Sequence, residues 1–410
     1  MKDNIYDIII IGGGASGLVA AISAKEADPE RTVLVIEQNP IPGKKLSRTG
    51  NGRCNFTNKD LSLEHFHTPD KDIADTILKS FTLNDSLNFF SKAGVVPYER
   101  NGCFYPYSGE AKSFRDILYL NAAESGVIFR FEEKVVSLKK DGDMFRVSTE
   151  TKSFFSEKVI LSTGGLAAPD SGASKDGFEI LGSLGLSIKK PLPALCPLHC
   201  EGAFPEDFAG IRIYGRINVA CNGVVIAADF GELQFNKGNI SGIPVLNVSS
   251  TAIRLFNEGE RVNLCLNLLP EGFDPSLFLS DLRQDVRIKD ALLSILNYKM
   301  IPYFLKKAGI SLSDRLSDVS KKKLLLLFDI LSSFSLDMTG FPGYEKAQSS
   351  SGGLSLSCVD PDTMELYSHP GLYVTGELLD CDGICGGYNL HFAFATGRLA
   401  GLSAGGSKDA

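Results

Sequence analysis

An α/β fold is predicted by three stretches of the 410-residue sequence. The first is an apolar run, residues 6–11, that passes at once into Gly12-Gly13-Gly14-Ala15-Ser16-Gly17 and then into an alanine-rich segment, 18–27. The second is another apolar strand, 158–161, ending in Ser162-Thr163-Gly164-Gly165. The third, 371–377, is again apolar and ends in a glycine and an acid. Strands that run into glycines and then helices are the units of doubly wound sheets. Between the second and third stretches the composition changes twice, which predicts an insert.

The opening unit is the most specific. Gly12, Gly14 and Gly17 fit the G-x-G-x-x-G spacing. Gly12 permits a sharp turn, Gly14 lets the backbone approach a pyrophosphate, and Gly17 lets the helix pack close to the strand. The helix N-terminus then offers free N–H groups and a positive dipole end to phosphates. A second apolar run, 32–36, ends in Glu37, twenty residues after Gly17, where an acid accepts hydrogen bonds from an adenosine ribose. The plainer reading is an ordinary glycine turn. Strand, glycines, helix, second strand and acid together favour a dinucleotide, without choosing between FAD and NAD.

Residues 40–58 hold few apolar side chains and many glycines, asparagines and cations, among them Lys44, Lys45, Arg48 and Arg53. This predicts a functional loop that wraps phosphates or sits beside an aromatic ring, against the alternative of a solvated surface loop. Residues 70–93 read as helical, with Ile73, Ile77, Leu78, Phe81, Leu87 and Phe90 on the apolar side. Short strands with an Asn101-Gly102 turn follow over 98–108, then a helix over 114–123. Strands are expected at 127–131 and 133–138, with a hairpin at Asp141-Gly142 into 144–147, before the return at 158–165. This order matches a nucleotide domain with a three-stranded crossover rather than a simple NAD-binding domain.

Prolines 191, 193 and 197 mark a linker. Residues 211–235 alternate apolar and polar around Asn222-Gly223, a hairpin signal, so a β-rich segment is expected over 191–268. Residues 274–335 are helical in pattern, and Ser320 is placed to cap a helix carrying Leu324, Leu327, Phe328 and Leu331. Lys321-Lys322-Lys323 reads as that helix's solvated first turn. In the closing unit, Glu377 is placed to bind a polyol hydroxyl. Gly386-Gly387-Tyr388-Asn389-Leu390 begins a helix whose N-terminus can face the pyrimidine end of a flavin.

Hydrophobic content of 43% and charged content of 22% exclude a disordered chain. The net charge of -7, with no basic stripe, argues against nucleic acid as the main partner and for a small-molecule substrate. No apolar segment approaches the roughly 20 residues of a membrane helix, and residues 1–4 leave no room for a signal peptide before the first strand. A cytoplasmic location, without membrane association, is therefore expected. The nine cysteines are scattered and expected to be reduced; Cys196/Cys200 and Cys381/Cys385 make no C-x-x-C pattern. The five histidines give no convergent ligand set, so no metal is expected. Oligomeric state is not specified.

Several motifs together resemble the BaiN-like, or aminoacetone-oxidase-like, family of FAD-dependent oxidoreductases, of the two-dinucleotide type. They are Gly43-Lys44-Lys45-Leu46 with Gly50-Asn51-Gly52-Arg53-Cys54-Asn55-Phe56-Thr57-Asn58; Ser162-Thr163-Gly164-Gly165 with Pro169, Gly172 and Asp176-Gly177; Gly231-Glu232-Leu233-Gln234-Phe235 with Gly238-Asn239-Ile240-Ser241-Gly242; and Gly376-Glu377-Leu378-Leu379-Asp380-Cys381-Asp382-Gly383 with Gly386-Gly387-Tyr388-Asn389-Leu390. The resemblance spans nearly the whole chain. Asn236 and Lys237 depart from it, standing where a Thr and an aromatic or His residue are usual, as do Cys381 in place of an aliphatic and His391 in place of Gln. These departures are expected on the substrate side.

The resemblance implies a Rossmann-like FAD-binding domain with a three-stranded β-meander, interrupted by a β-barrel-like plus helical insert. The FAD-binding domain takes residues 1–190 and 346–410, the β-rich insert 191–268 and the helical insert 269–345. Implied FAD contacts, beside the glycine turn, are Ala15, Ser16, Glu37, Gln38, Lys45, Val135, Thr163, Gly164, Gly376, Glu377, Asn389 and Leu390. Hydride would pass to or from flavin N5, with substrate over the ring. Arg53 would orient an anionic group or polarise a carbonyl, Asn55 would hydrogen-bond the ring edge, and Tyr388 would donate a proton or pack; the sequence specifies no acid or base beyond these candidates. Cys54 reads as a packed, inert thiol rather than a redox group. Two activities compete: reduction of an activated alkene or ketone with NADH or NADPH as transient donor, and oxidation of a small amine by oxygen. A flavin-bearing binding protein without turnover is the reading from another class.

Overall fold

Ile8, Ile9 and Ile10 have no exposed surface, because the first strand, Ile5–Ile11, lies inside a seven-stranded sheet. The computed structural model describes residues 4–406. Residues 1–3, on which the signal-peptide expectation partly rests, and 407–410 lie outside the described residues. The chain divides into two compact units, one of residues up to 193 and from 347 onward, the other of residues 194–346.

In the first unit the strands Ile128–Arg130, Val33–Ile36, Ile5–Ile11 and Ser153–Leu161 run parallel in that order. Ser153–Leu161 then divides its free edge. Its first half pairs antiparallel with Met144–Thr149, itself in a hairpin with Val135–Asp141, and its second half pairs parallel with Leu372–Val374. This is the three-stranded crossover the order of elements predicted. Register places Ile11 beside both Ile36 and Leu161, and Leu161 beside Val374. Four strands therefore end together, where Gly12, Glu37, Ser162 and Thr375 leave the sheet. In open α/β sheets, ligands bind outside these carboxyl ends.

Two helices flank this edge. Ala15–Ala27 follows the glycine turn, and Tyr388–Gly405 packs directly on it. The contact is backbone to backbone. A Cβ on Gly397, Gly401 or Gly405 would fall 2.4 Å from Ser16 O, 2.3 Å from Ala20 O or 2.7 Å from Ala24 O. Lys158 Nζ donates to the carbonyls of Ser403 and Ala404, satisfying the end of the last helix. Residues 70–93 form two helices rather than one, Lys71–Ser80 and Leu83–Lys92. The break arises because Thr82 and Asp85 form a capping box that starts a new helix.

The second unit holds a six-stranded antiparallel sheet in the order Leu198–His199, Asn239–Ser241, Val224–Asn236, Arg212–Cys221, Val262–Asn267, Phe334–Asp337. The expected hairpin is a two-residue turn, with Cys221 opposite Val224 and positive φ at Asn222 (51°) and Gly223 (80°). His199 donates to Gly340 O (2.9 Å) and accepts from Thr339 N (2.8 Å), so the two edges meet and the sheet is barrel-like. Ser320 Oγ accepts from Lys323 N and starts Lys321–Ser332, as expected. The stretch 269–345 is not wholly helical, because Phe334–Asp337 returns to the sheet and pairs Val262–Asn267. All nine cysteines are free thiols. Among the described residues no helix is long and apolar enough to cross a membrane.

Candidate cofactor-binding site

At the carboxyl ends of these strands lies a groove of about 1220 Å³, its open mouth included. Its lining runs from the glycine turn and Glu37 to Glu377 and Asn389, so it joins the opening and closing motifs in one site. The three motif glycines have separate roles in it. Gly12 has φ +102°, and a Cβ there would lie 2.5 Å from Ser162 O. A Cβ on Gly17 would lie 2.0 Å from Gly12 O, which is what seats the helix under the turn. A Cβ on Gly14 would come no nearer than 3.9 Å to Ser162 O, so the room it leaves belongs to the groove. No side chain caps the Ala15–Ala27 helix, and its N-terminal N–H groups remain for a ligand.

Glu37 is 7% exposed. Its Oε2 accepts from Gly13 N (2.8 Å), and its Oε1 accepts from Asn39 N (2.8 Å) and Asn39 Nδ2 (2.6 Å). The carboxylate is thus fixed against the glycine turn, with accepting capacity left over. The 40–58 loop is held there too. Gly43 N donates to Gly13 O (2.7 Å), Arg115 Nη1 donates to Pro42 O (3.3 Å), and a Cβ on Gly43 would lie 2.5 Å from Arg115 Cγ. Further along, Lys45 Nζ reaches Glu377 Oε2 at 2.5 Å, joining the loop to the closing motif. Glu377 Oε1 accepts from Ser349 Oγ (2.9 Å) and Ser350 N (3.3 Å). Asn389 is oriented by Gly383, accepting from its N–H (2.9 Å) and donating to its carbonyl (2.7 Å).

Of the sequence-predicted cofactor residues, Gly12, Gly14, Ala15, Ser16, Glu37, Gln38, Lys45, Val135, Thr163, Gly164, Gly376, Glu377, Asn389 and Leu390 all line this one groove; Gly17 sits beneath it. Ser162 and Thr163 line it as well, but their hydroxyl oxygens are buried, that of Thr163 against Gly177. A glycine turn with room beside Gly14, an uncapped helix N-terminus and a carboxylate at the end of the second strand together fit FAD in the groove. Gln348 and Ser349 also line it, and the sequence motifs do not include either. A signal for them is nonetheless present: Ser349–Leu354 is a fully buried strand beginning with three serines, and buried hydroxyls have partners to hold. Arg115, only 5% exposed, carries no motif signal either, because its partner loop lies 73 residues upstream.

The three substrate-side candidates do not line the groove. Asn55 packs against the start of the closing helix. Its Oδ1 is buried without a partner among the described residues, and a Cβ on Gly387 would lie 2.8 Å away. Phe56, stacked on Phe114 with centroids 5.2 Å apart, anchors this part of the loop. Arg53 is exposed. Tyr388 is buried, against His65 (4.8 Å) and edge-on to Phe66 (5.6 Å). Burial, with Asp60, Cys103 and Glu64 adding to it, pushes its phenol up to about 12, so it keeps its proton near neutrality. Burial likewise pushes the Cys54 thiol up to about 12, which makes it unreactive.

The departures from the family pattern are structural where their contacts are seen. His391 has no exposed surface: Nδ1 bonds Thr57 Oγ1 (2.9 Å) and Nε2 bonds Phe81 O (2.8 Å), so it does not face substrate. Cys381 is buried, and Asn236 Nδ2 donates to Asn239 Oδ1 and Ser241 Oγ, closing its own turn. Asp60, Glu64 and His65 bring ligand-type atoms within 4.8 Å of one another at the surface, where His65 Nε2 and Asp60 Oδ2 already bond at 2.9 Å.

A family model described as HI0933-like protein Rossmann domain matches residues 6–403. The chain belongs to this family of FAD-dependent oxidoreductases. The family resemblance and the interrupted α/β fold read from the motifs are therefore correct. Among similar proteins of this family is the 3-dehydro-bile acid Δ4,6-reductase of Clostridium scindens, 34% identical over 96% of this chain and 98% of its own length. Another is the ribosomal RNA dihydrouridine synthase of Escherichia coli, 30% identical over 95% and 96%. A solved 3-ketosteroid Δ1-dehydrogenase from Sterolibacterium denitrificans shares the fold, with a TM-score of 0.53 at 12% identity, over 99% of this chain and all of that one.

Proposed function

We propose that this oxidoreductase saturates a carbon–carbon double bond conjugated to a carbonyl, on a small organic molecule in the cytoplasm, with NADH or NADPH as electron donor. One observation carries the reading. The two similar proteins named above, acting on unlike molecules, both have names that describe saturation of such a bond: the Δ4,6 system of a 3-oxo steroid in one, the uracil ring in the other. The reaction adds a hydride at the β-carbon and a proton at the α-carbon. FAD, when bound, supplies the hydride chemistry at its N5. The chain's part is to hold and orient. When FAD is bound, Glu37 would accept from ribose hydroxyls, the N-terminus of Ala15–Ala27 would offer its free N–H groups to the pyrophosphate, and Glu377, paired with Lys45, would accept from the polyol. Tyr388, packed against His65 and Phe66 and outside the groove's lining, anchors the start of the closing helix.

The test is anaerobic. The FAD-loaded protein is reduced with NADH or NADPH, then mixed with a 3-oxo-4,6-diene steroid, with rRNA, or with buffer. Rapid return of the oxidised flavin spectrum with the dienone, and formation of its saturated product, is the expected result. Return with rRNA and formation of dihydrouridine would make RNA the substrate instead, against the net charge of -7. Bleaching of the oxidised flavin by aminoacetone but not by NAD(P)H would replace the reductase reading with the amine oxidase.

A further inference from the structure

Ser349 lines the cofactor groove but belongs to none of the motifs that build it. It opens the strand Ser349–Leu354, every residue of which is buried. That strand is held closely along its length. Ser350 Oγ accepts from Leu166 N (3.2 Å), and a Cβ on Gly165 would lie 2.1 Å from it, which ties the strand to the glycines after Ser153–Leu161. A Cβ on Gly353 would lie 2.4 Å from Leu378 O, which ties it to the closing motif. The side chain at position 349 therefore springs from a backbone with little freedom, as a group that aims another must.

The group it faces is Glu377. Lys45 Nζ reaches Glu377 Oε2 at 2.5 Å, and Oε1 accepts from Ser349 Oγ (2.9 Å) and Ser350 N (3.3 Å). A carboxylate has about four acceptor positions, so these three donors leave one for a ligand and decide where it points. The three are unequal. Lys45 is a flexible arm ending in a point charge. The bond from Ser350 N is long. Ser349 makes the shorter bond to Oε1, and makes it from a fixed strand. Its hydroxyl also lies 3.3 Å from Asn389 Oδ1, which Gly383 N holds (2.9 Å), so it stands between two residues that line the groove. A hydroxyl has one proton, and the nearer, charged acceptor takes it.

We propose that Ser349 is a positioning residue for FAD: it fixes the Glu377 carboxylate so that its remaining acceptor position meets the polyol between flavin and phosphates. Without the hydroxyl, Oε1 keeps only the long bond from Ser350 N, and the carboxylate turns with the Lys45 side chain. The inference rests on FAD lying in the groove with Glu377 at its polyol, and it adds the residue on which that contact depends. The effect is confined to the flavin half of the cofactor. The adenosine half belongs to Glu37 and the glycine turn, and the bonds of the Ser349 hydroxyl go to Glu377 and Asn389 instead.

The FAD-loaded full chain is diluted in series, and the flavin released is read by its fluorescence, in the wild type, Ser349→Ala, Glu377→Ala and the double variant. Displacement by ADP, which has the adenosine and pyrophosphate but no flavin polyol, gives the affinity of the other half. Ser349→Ala should raise the FAD dissociation constant about tenfold, the loss of one hydrogen bond to a charged group, and leave that of ADP unchanged. Added to Glu377→Ala, it should change FAD binding little, because its partner is already gone. An FAD constant unchanged in Ser349→Ala would overturn the proposal. So would an ADP constant raised by the same factor, or an equal loss with and without Glu377, since either makes Ser349 a packing residue only. The comparison of FAD with ADP decides even where Glu377→Ala retains no flavin. A wild type that takes up no FAD sinks the cofactor reading itself, whereas one that holds FAD as tightly as Ser349→Ala sinks only the role of Ser349.

Discussion

Glu37 holds three donors already, two from Asn39 and one from Gly13, and a carboxylate can accept about four. Glu37→Arg removes the ribose acceptor and sets a long cation beside the glycine turn. The variant is expected to purify with little flavin and to bind added FAD at least about tenfold more weakly. Flavin released on denaturation, counted per protein, measures this; wild-type occupancy would show that Glu37 is not the ribose anchor. His391 gives the expected pH dependence. Burial, opposed by its bond to Phe81 O, lowers its pKa from 6.5 to about 4. Above pH 6.5 the ring is neutral folded or unfolded, and the fold keeps its full stability. Between 6.5 and 4 the unfolded chain takes up a proton that the folded chain refuses, so stability falls as pH falls, by roughly 3 kcal/mol in all. Denaturation curves across this range should show the slope, and His391→Gln should flatten it; an equal slope in the variant would assign it elsewhere. Glu37 is legible in the sequence because its role is encoded by distance from a local motif. His391 is not, because Phe81 lies 310 residues away.

The helix pair Ala15–Ala27 and Tyr388–Gly405 tests sterics against propensity. Ala is about 1 kcal/mol more favourable than Gly inside a helix. A Cβ added to Gly182, in the helix Asp176–Ser183, would meet no atom within 4 Å, so Gly182→Ala should be neutral or stabilise by up to about 1 kcal/mol. Gly401→Ala should do the reverse. Its Cβ would fall 2.3 Å from Ala20 O, and the helices must part to admit it, at a cost of about 1–3 kcal/mol. Urea titrations of both variants give the comparison, and equal effects would mean that the close packing does not constrain the pair. Gly397, Gly401 and Gly405 stand four apart in the sequence, so this stripe is open to reading from spacing, as is the Thr82-x-x-Asp85 cap. The hairpins are legible because Asn-Gly turns are local. The divided edge of Ser153–Leu161 is less so: its partners come from residues 144–149 and 372–374, and no local pattern says that one strand serves both.

The groove draws every lining residue from the unit made of residues up to 193 and from 347 onward. The unit of residues 194–346 has its own sheet and contributes none of them. Ligand binding stabilises the structure that binds it, by about 2.7 kcal/mol at a free ligand concentration of 100 Kd. For a unit of some 250 residues each kcal/mol raises the melting temperature by about 2–4 °C. Scanning calorimetry of the full chain, with and without FAD, should therefore resolve two transitions, with only one moving, upward by roughly 5–10 °C. Glu37→Arg should abolish that shift while leaving the other transition in place. The result separates two questions that activity assays merge, whether FAD is bound and where. A shift of both transitions by the same amount would mean that the units unfold as one, and no shift at saturating FAD would remove the flavin from the groove altogether. The sequence can place the cofactor because its anchors are short motifs with fixed spacing. It cannot place the substrate, because its substrate-side candidates Arg53, Asn55 and Tyr388 are isolated side chains without a spaced motif, and none of them lines the groove.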